Sequence, residues 1–396
     1  MRSQSTEGAR SAFADLLSSQ AALPRVQVYT GPGASHSWIW LAQALEGLGC
    51  LGVRFCDHQD LLVAERPDVL VISGGDAFRM AEALGGAGLR RISEFVEGGG
   101  TYLGICAGAY LGLASGTSPL PSLRFCRSPI TNFSENGAPL PIDARKYAVR
   151  CGERDVFQPL RGPMRIEVAG QIVVAPLFGG PCWRGPGDAE GIGRYLGWED
   201  GARVLVPEPW AREVTRNKVA VLQKTIGKGR AVLLGPHFEH PDHPAAHAIL
   251  AAFVLEARRS KFIPEAYQTS NRDVIGVRRA LSEARVAYRG LEGAQWRIGN
   301  KVWEHERIGY FINAMWERVD SLDGQGNAFV PPEGAEDELR SMVRMVRAVR
   351  RGLHLEQDTT SELEQLVEAL SSVSASYFNS YFEWRLASSK KAVRWA

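Results

Sequence analysis

From Arg25 onward, short and wholly apolar runs alternate with segments of helical spacing. "RVQVYT" (25–30), "LGVRFC" (51–56), "PDVLVISGG" (67–75) and "TYLGIC" (101–106) read as buried strands. "SWIWLAQALEGLG" (37–49) and "AFRMAEALGGAGLRRISEFVEGG" (77–99) read as helices, the second broken near Gly85, Gly86 and Gly88. Strands apolar on both faces, each followed by a helix, predict a mostly parallel sheet covered on both sides. Its crossovers are right-handed.

Between about 120 and 230 proline and glycine rise, and short alternating runs such as "MRIEVAG", "QIVVAPLF" and "ARVLVPE" predict a β-rich insert. "KVAVLQKTIGKGRAVLLG" reads as a hairpin turning at "GKGR", whose second strand returns to the main sheet. "PAAHAILAAFVLEARRS" (244–260) is a closing helix. After "KFIPEAYQTSN" the strand signal disappears, and 272–320, 335–355 and 360–395 have helical spacing. The expected organisation is a leader over 1–24 (disordered or one helix), an α/β domain over 25–260, a linker over 261–271 and an all-α helical domain over 272–396.

Lys+Arg against Asp+Glu is 46 to 44, so no net field favours nucleic acid or an anionic membrane. No apolar run approaches the ~20 residues of a membrane span, and the first residues lack an apolar signal core. The six cysteines, at 50, 56, 106, 126, 151 and 182, are too sparse for a disulfide scaffold and read as reduced thiols of a cytoplasmic protein. Cys50 and Cys56 match no metal-ligand spacing and read as buried structural thiols.

The chemistry concentrates in "EGGGTYLGICAGAYLGLASG". Where a strand turns sharply into a helix, the residue at the bend is thrust out at the sheet's end, and its neighbours two before and two after must be small. Gly104-Ile105-Cys106-Ala107-Gly108 is the thiol form of that elbow. It sets Cys106 at a helix N-terminus, which favours a thiolate, with the Ala107 N–H facing a nascent oxyanion. The base is expected from "LLGPHFEHP", with His237 at the end of another strand and Glu239 orienting its ring. His240, His243 and His247 read as loop histidines. A metal cluster is the competing reading, weakened by Pro241 and Pro244, which prevent one helix face from carrying the set.

These residues, with "VISGG" upstream, resemble the class I glutamine amidotransferase-like superfamily, in particular the biotin–protein ligase N-terminal-type domain, over roughly 25–257. The resemblance implies a flavodoxin-like fold with Cys106 as nucleophile, His237 as base, Glu239 as its partner, and Gly75 and Ala107 as oxyanion donors. Two departures stand out. Tyr110 occupies the position where glutamine-using members carry Gln, which argues against glutamine as substrate, and the biotin ligase signature G-R-G-R is absent.

"TGPGAS" (30–35) lacks a full dinucleotide fingerprint and reads as a loop at the site mouth, with His36 a loop or capping contact. "FGGPCW" (178–183) reads as a structural glycine turn of the insert; the resemblance offers the alternative that it lies over the site, with Gly179, Gly180, Cys182 and Trp183 shaping a substrate wall beside Gly74 and Tyr110. Arg340, Arg344, Arg347 and Arg351 form a solvated helix face, and the aromatics of the C-terminal third, Trp395 included, read as bundle core. The leading function is a cysteine-dependent amidohydrolase or amidotransferase acting through a thioester on a small-molecule or peptide amide, with no cofactor. The alternative is a catalytically silent binding module whose residues 272–396 recruit a partner or a second copy. Redox or aldehyde chemistry shares the elbow but does not need Glu239.

Overall fold

The computed structural model describes residues 5–18, 23–63, 66–114, 120–134, 139–257, 274–320, 329 and 331–395, the side chains of 320 and 390–395 excepted. The expected linker (261–271) and the Trp395 side chain lie outside the described residues. The first half runs α1 (Thr6–Ser18), β1 (Val26–Tyr29), α2 (Ser37–Leu48), β2 (Val53–Cys56), β3 (Val69–Ile72), α3 (Ala77–Glu97), β4 (Thr101–Ile105) and α4 (Ala107–Gly112). The insert comprises α5 (Ile142–Lys146), β5 (Val149–Cys151), β6 (Arg154–Val156), β7 (Leu160–Val168), β8 (Gln171–Leu177), β9 (Glu190–Trp198), β10 (Arg203–Val204) and α6 (Glu208–Thr215). It returns through β11 (Val219–Ile226) and β12 (Gly229–Leu234) to α7 (His247–Leu255). The C-terminal third holds α8 (Val274–Arg289), β13 (Gln295–Ile298), β14 (Lys301–Glu304), α9 (His305–Asp320), α10 (Ala335–His354) and α11 (Thr360–Trp395).

The strand order β2-β1-β3-β4-β12 is parallel throughout, and the sheet continues antiparallel through β11, β9, β7 and β10, with β8 on the other side of β7. The parallel half is a doubly wound, flavodoxin-like α/β sheet, in which ligands collect beyond the carboxyl ends of the strands. Wholly apolar runs become its central strands: β1 and β3 are buried at every position. In α3, Gly85 takes a non-helical conformation (φ 57°, ψ −177°), so the helix is kinked where the glycine cluster predicts a break.

The C-terminal third differs from its reading in one respect. Residues 295–304 form an antiparallel hairpin, Trp296 opposite Trp303, inside a stretch whose spacing reads as helix. The turn is Gly299-Asn300, and Gly299 has φ 56°, which an L-residue adopts only with strain. The arginines of α10 are exposed, whereas Met342, Val343, Val346 and Val349 are buried. The C-terminal helices share a core with the α/β unit: Trp38 of α2, fully buried, meets Phe55 of β2, Phe311 of α9 and Phe378 of α11 at ring-centroid distances of 5.4, 5.7 and 5.9 Å. Leader residues Ala9 and Phe13 in α1 are also wholly buried.

Emptying the Trp38 site removes apolar contact from four elements at once. Trp38→Ala is expected to lower the unfolding free energy by about 3–5 kcal/mol, measured by urea denaturation. A loss under about 1 kcal/mol, the range of surface changes, would mean that α9 and α11 do not close over α2.

Candidate active site

β4 and β12 are hydrogen-bonded neighbours with Ile105 opposite Leu234, and the Cys106 N–H donates to the Leu234 carbonyl at 2.8 Å. The two strands therefore end side by side, and the residues just beyond them, Cys106 and His237, meet. Cys106 sits at φ 53°, ψ −103°, a strained conformation for a residue with a Cβ, and α4 starts at the next residue. The small flanking residues have a steric cause: a Cβ on Gly104 would strike the Gly108 carbonyl, and a Cβ on Gly108 would strike that of Ile72. This is the elbow that the spacing predicts.

The His237 imidazole acts electrostatically on the Cys106 thiol, whose sulfur approaches the Phe178 carbonyl at 3.9 Å. On the far side of the ring, His237 Nδ1 lies 2.6 Å from Glu239 Oε1, and Glu239 is fully buried. Burial alone disfavours charge on every one of these groups. The pair overcomes it: burial raises the Cys106 thiol, but the imidazolium charge of His237, aided by Lys301, brings it below its ordinary value. Burial likewise depresses His237, yet Glu239 and the Cys106 thiolate lift it to about 10. The arrangement sets a thiol of lowered pKa beside an imidazole of raised pKa with a glutamate behind it, groups that can supply a nucleophile and return a proton to a leaving group.

Gly75 and Ala107 line the same cavity as Cys106, and among the described residues neither N–H is taken up by a backbone carbonyl. Gly74 lies behind the site: a Cβ there would fall 2.7 Å from His237 Cε1, so its smallness makes room for the imidazole. Tyr110 lines the cavity, donates its hydroxyl to the Gly179 carbonyl at 3.0 Å and accepts from Asn132 Nδ2 at 2.8 Å. Gly179 lines the cavity too. Gly180 does not: it packs on the Gly235 carbonyl. Cys182 and Trp183 are corrected from wall to core, since both are fully buried behind this turn, and burial lifts the Cys182 thiol to about 12.

The cavity measures ≈1230 Å³ and takes in residues that the sequence reading did not assign to the site. His36 is buried, stacks on Tyr310 with centroids 5.1 Å apart, and meets Trp40 edge-on at 4.5 Å. Trp40 in turn stands edge-on to His237 at 5.8 Å. Arg161 comes from β7, Lys301 and Glu304 from the hairpin, and Arg307 from α9. The hairpin is tied to the α/β unit through Asp76, which caps α3 and accepts from the Asn300 N–H at 2.7 Å. A two-residue Gly-Asn turn between "QWRI" and "KVWE" is the signal that could have found it. Among the described residues no three His, Cys, Asp or Glu side chains are grouped to hold a metal. His240, held down to about 4 by burial and by His237, packs on Trp40 instead, with centroids 4.4 Å apart. No disulfide joins any of the six cysteines, and no helix among the described residues is long and apolar enough to cross a membrane.

An open-ended parallel sheet with a cysteine elbow and a histidine–glutamate pair at its carboxyl edge is the layout expected from the resemblance to the class I glutamine amidotransferase-like superfamily. Residues 25–117 match the family described as biotin-protein ligase, N terminal. The chain belongs to the same family as an uncharacterized protein of Chlamydia muridarum (strain MoPn / Nigg), with 30% identity over 233 residues covering 55% of this chain and 81% of that one. Among solved structures, a protein described as a GMP synthase subunit, from Thermoplasma acidophilum, shares 14% identity at a TM-score of 0.34, over 58% of this chain and 92% of that one. An exo-beta-1,4-mannosidase from Opitutaceae bacterium strain TAV5 shares 15% at a TM-score of 0.30, over 60% and 37%.

If His237 holds the thiolate, alkylation of Cys106 has a pH midpoint below the ~8.5 of a free cysteine. Replacing His237 by Ala leaves Lys301 as the remaining charge opposing burial, so the midpoint is expected to move up. Rates of iodoacetamide labelling between pH 5 and 10, with the labelled peptide located by mass spectrometry, measure this directly. An unmoved midpoint would show that the imidazole does not set the charge of the thiol.

Proposed function

We propose that the chain is a cysteine-nucleophile amidohydrolase or amidotransferase. The observation that supports this is the Cys106–His237–Glu239 alignment at adjoining strand ends, with the thiol lowered and the imidazole raised. Cys106 Sγ attacks the carbonyl carbon of an amide, and the oxyanion that forms is held by the N–H groups of Gly75 and Ala107. The His237 imidazolium gives its proton to the departing amine as the C–N bond breaks, leaving a thioester on Cys106. The neutral imidazole then takes a proton from water, or from an acceptor amine, as it attacks the thioester, and the thiolate is released. Glu239 keeps Nδ1 protonated and the reactive nitrogen turned toward sulfur throughout.

Tyr110 bears on which amide is used. Its hydroxyl is spent on Gly179 and Asn132, so it braces the wall and offers no free amide of the kind a Gln would present. Free glutamine is therefore not the favoured substrate. The α/β unit over 25–260 supplies the nucleophile, and the segment over 272–396 supplies part of the cavity through its hairpin, which gives that segment a role in substrate recognition.

Screening amide and peptide libraries for ammonia or amine release, with Cys106→Ala as the blank, tests the reading. Wild-type turnover is expected to fall by roughly 10³-fold or more in Cys106→Ala, and Glu239→Gln to lose on the order of 10²- to 10⁴-fold. Equal release by wild type and Cys106→Ala would remove the thioester mechanism.

A further inference from the structure

The cavity in front of Cys106 carries one buried and two half-buried cations, more positive charge than its own carboxylates pair with. Arg307, 7% exposed, pairs with Glu304 at 3.3 Å. Glu304 also accepts the Tyr147 hydroxyl at 3.3 Å. Arg161 has no carboxylate in ion-pairing range among the described residues. It hydrogen-bonds Gln158 at 2.9 Å and lies over the Tyr147 ring at 4.2 Å. Lys301 likewise has no carboxylate in that range among the described residues. The remaining acids do not serve: Asp76 is engaged by the α3 N-terminus and Asn300, and Glu306 is largely exposed and turned to His305. The imbalance has a cost. Burial, then the neighbouring arginines, hold Lys301 down to about 7, and burial lowers Arg161 and Arg307 as well. Structural ion pairs are arranged to avoid such a cost, whereas a binding site for an anion carries it until the ligand arrives.

We infer that the substrate is a net-negative amide whose free carboxylate seats against Lys301, Arg161 and Arg307 while its amide carbonyl faces Cys106. This rests on the nucleophile reading above and adds the substrate class to it. The planar guanidinium groups suit a carboxylate, each able to offer two parallel N–H donors. A cavity of ≈1230 Å³ exceeds the usual ~300–1,000 Å³ of a small-molecule site, so an acidic peptide-like amide fits it better than a single amino acid. Glutamine, zwitterionic and neutral overall, lacks the net charge that this wall would reward. The hairpin thus acts as a specificity element: it brings Lys301 into a site whose nucleophile belongs to the distant α/β half.

Two alkylating agents of nearly equal size but different charge read the wall. Iodoacetate and iodoacetamide each form an S–C bond to Cys106 with loss of iodide, and the ratio of their rates cancels the thiolate fraction and its nucleophilicity. Relative to free cysteine in the same buffer, the iodoacetate/iodoacetamide ratio at Cys106 is expected to be raised roughly tenfold or more at low salt and to fall as salt is added. Lys301→Gln and Arg161→Gln should each lower the ratio, and Lys301→Arg should keep it, an outcome that a merely distorted site would not give. A ratio equal to that of free cysteine overturns the anion site and leaves the nucleophile reading standing. A Cys106 that reacts no faster than the other cysteines removes the nucleophile reading, and the wall is then read by thermal unfolding with glutarate against neutral glutaramide. Stabilisation by glutarate alone, lost in Lys301→Gln, upholds the anion site. Equal shifts, or none, overturn it.

Discussion

One backbone hydrogen bond fixes the geometry of the site: the Cys106 N–H donating to the Leu234 carbonyl. It extends the β4–β12 ladder by one residue past the end of β4, at the point where the chain must bend into α4. The bend is strained, and it persists because Gly104 and Gly108 let strand and helix backbones touch. With the last pair of the ladder set, the residues beyond β12 have little freedom. The His237 N–H is bound to the Pro176 carbonyl at 2.9 Å and its ring to Glu239, so the imidazole is anchored through both backbone and side chain.

Around that fixed point, distant parts of the chain are gathered by ordinary packing. Trp38 draws α9 and α11 onto α2, and Asp76 clamps the hairpin turn to the start of α3. The hairpin is also held from the insert, since Arg297 donates to the Lys146 carbonyl at 2.6 Å and Lys146 to the Gln295 side chain at 2.6 Å. Lys301 therefore reaches the cavity because three separate regions agree on where the turn sits. The cavity thus brings together Cys106 and Lys301 from positions about two hundred residues apart in the chain.

The parts read correctly from sequence were those carried by local pattern. The four opening strands, the kink at Gly85 and the elbow at Cys106 each follow from a short-range rule: apolar runs, glycine freedom, crowding at a bend. The neighbourhood of Cys106 and His237 needed only the strand order, which the fold class implies. What escaped was set by tertiary contact. Cys182 and Trp183 follow a glycine turn that could equally well face the cavity or the core, and the collision a Gly180 side chain would have with Gly235 decides for the core. Arg161, Lys301 and Arg307 look like ordinary surface cations in a chain of almost balanced charge. The hairpin was hidden inside a long helical period, although its Gly-Asn turn was visible.

The other cysteines of the same chain separate the effect of burial from the effect of the site. Cys50, Cys126 and Cys182 are enclosed and burial pushes each to about 12, and Cys56 to about 11. Cys106 suffers the same desolvation and moves the opposite way. The helix N-terminus cannot account for that reversal, because α4 has only six residues and a dipole is worth about 0.3–1 kcal/mol in ordinary settings. Each pKa unit is about 1.36 kcal/mol, so offsetting the rise seen at Cys50 takes several times the dipole's contribution. The charge of His237, joined by that of Lys301, is what opposes burial at Cys106, and His237 is itself raised by Glu239 behind its ring. Glu239 acts on the thiol favourably only through the imidazole, because its direct effect on Cys106 is to raise it.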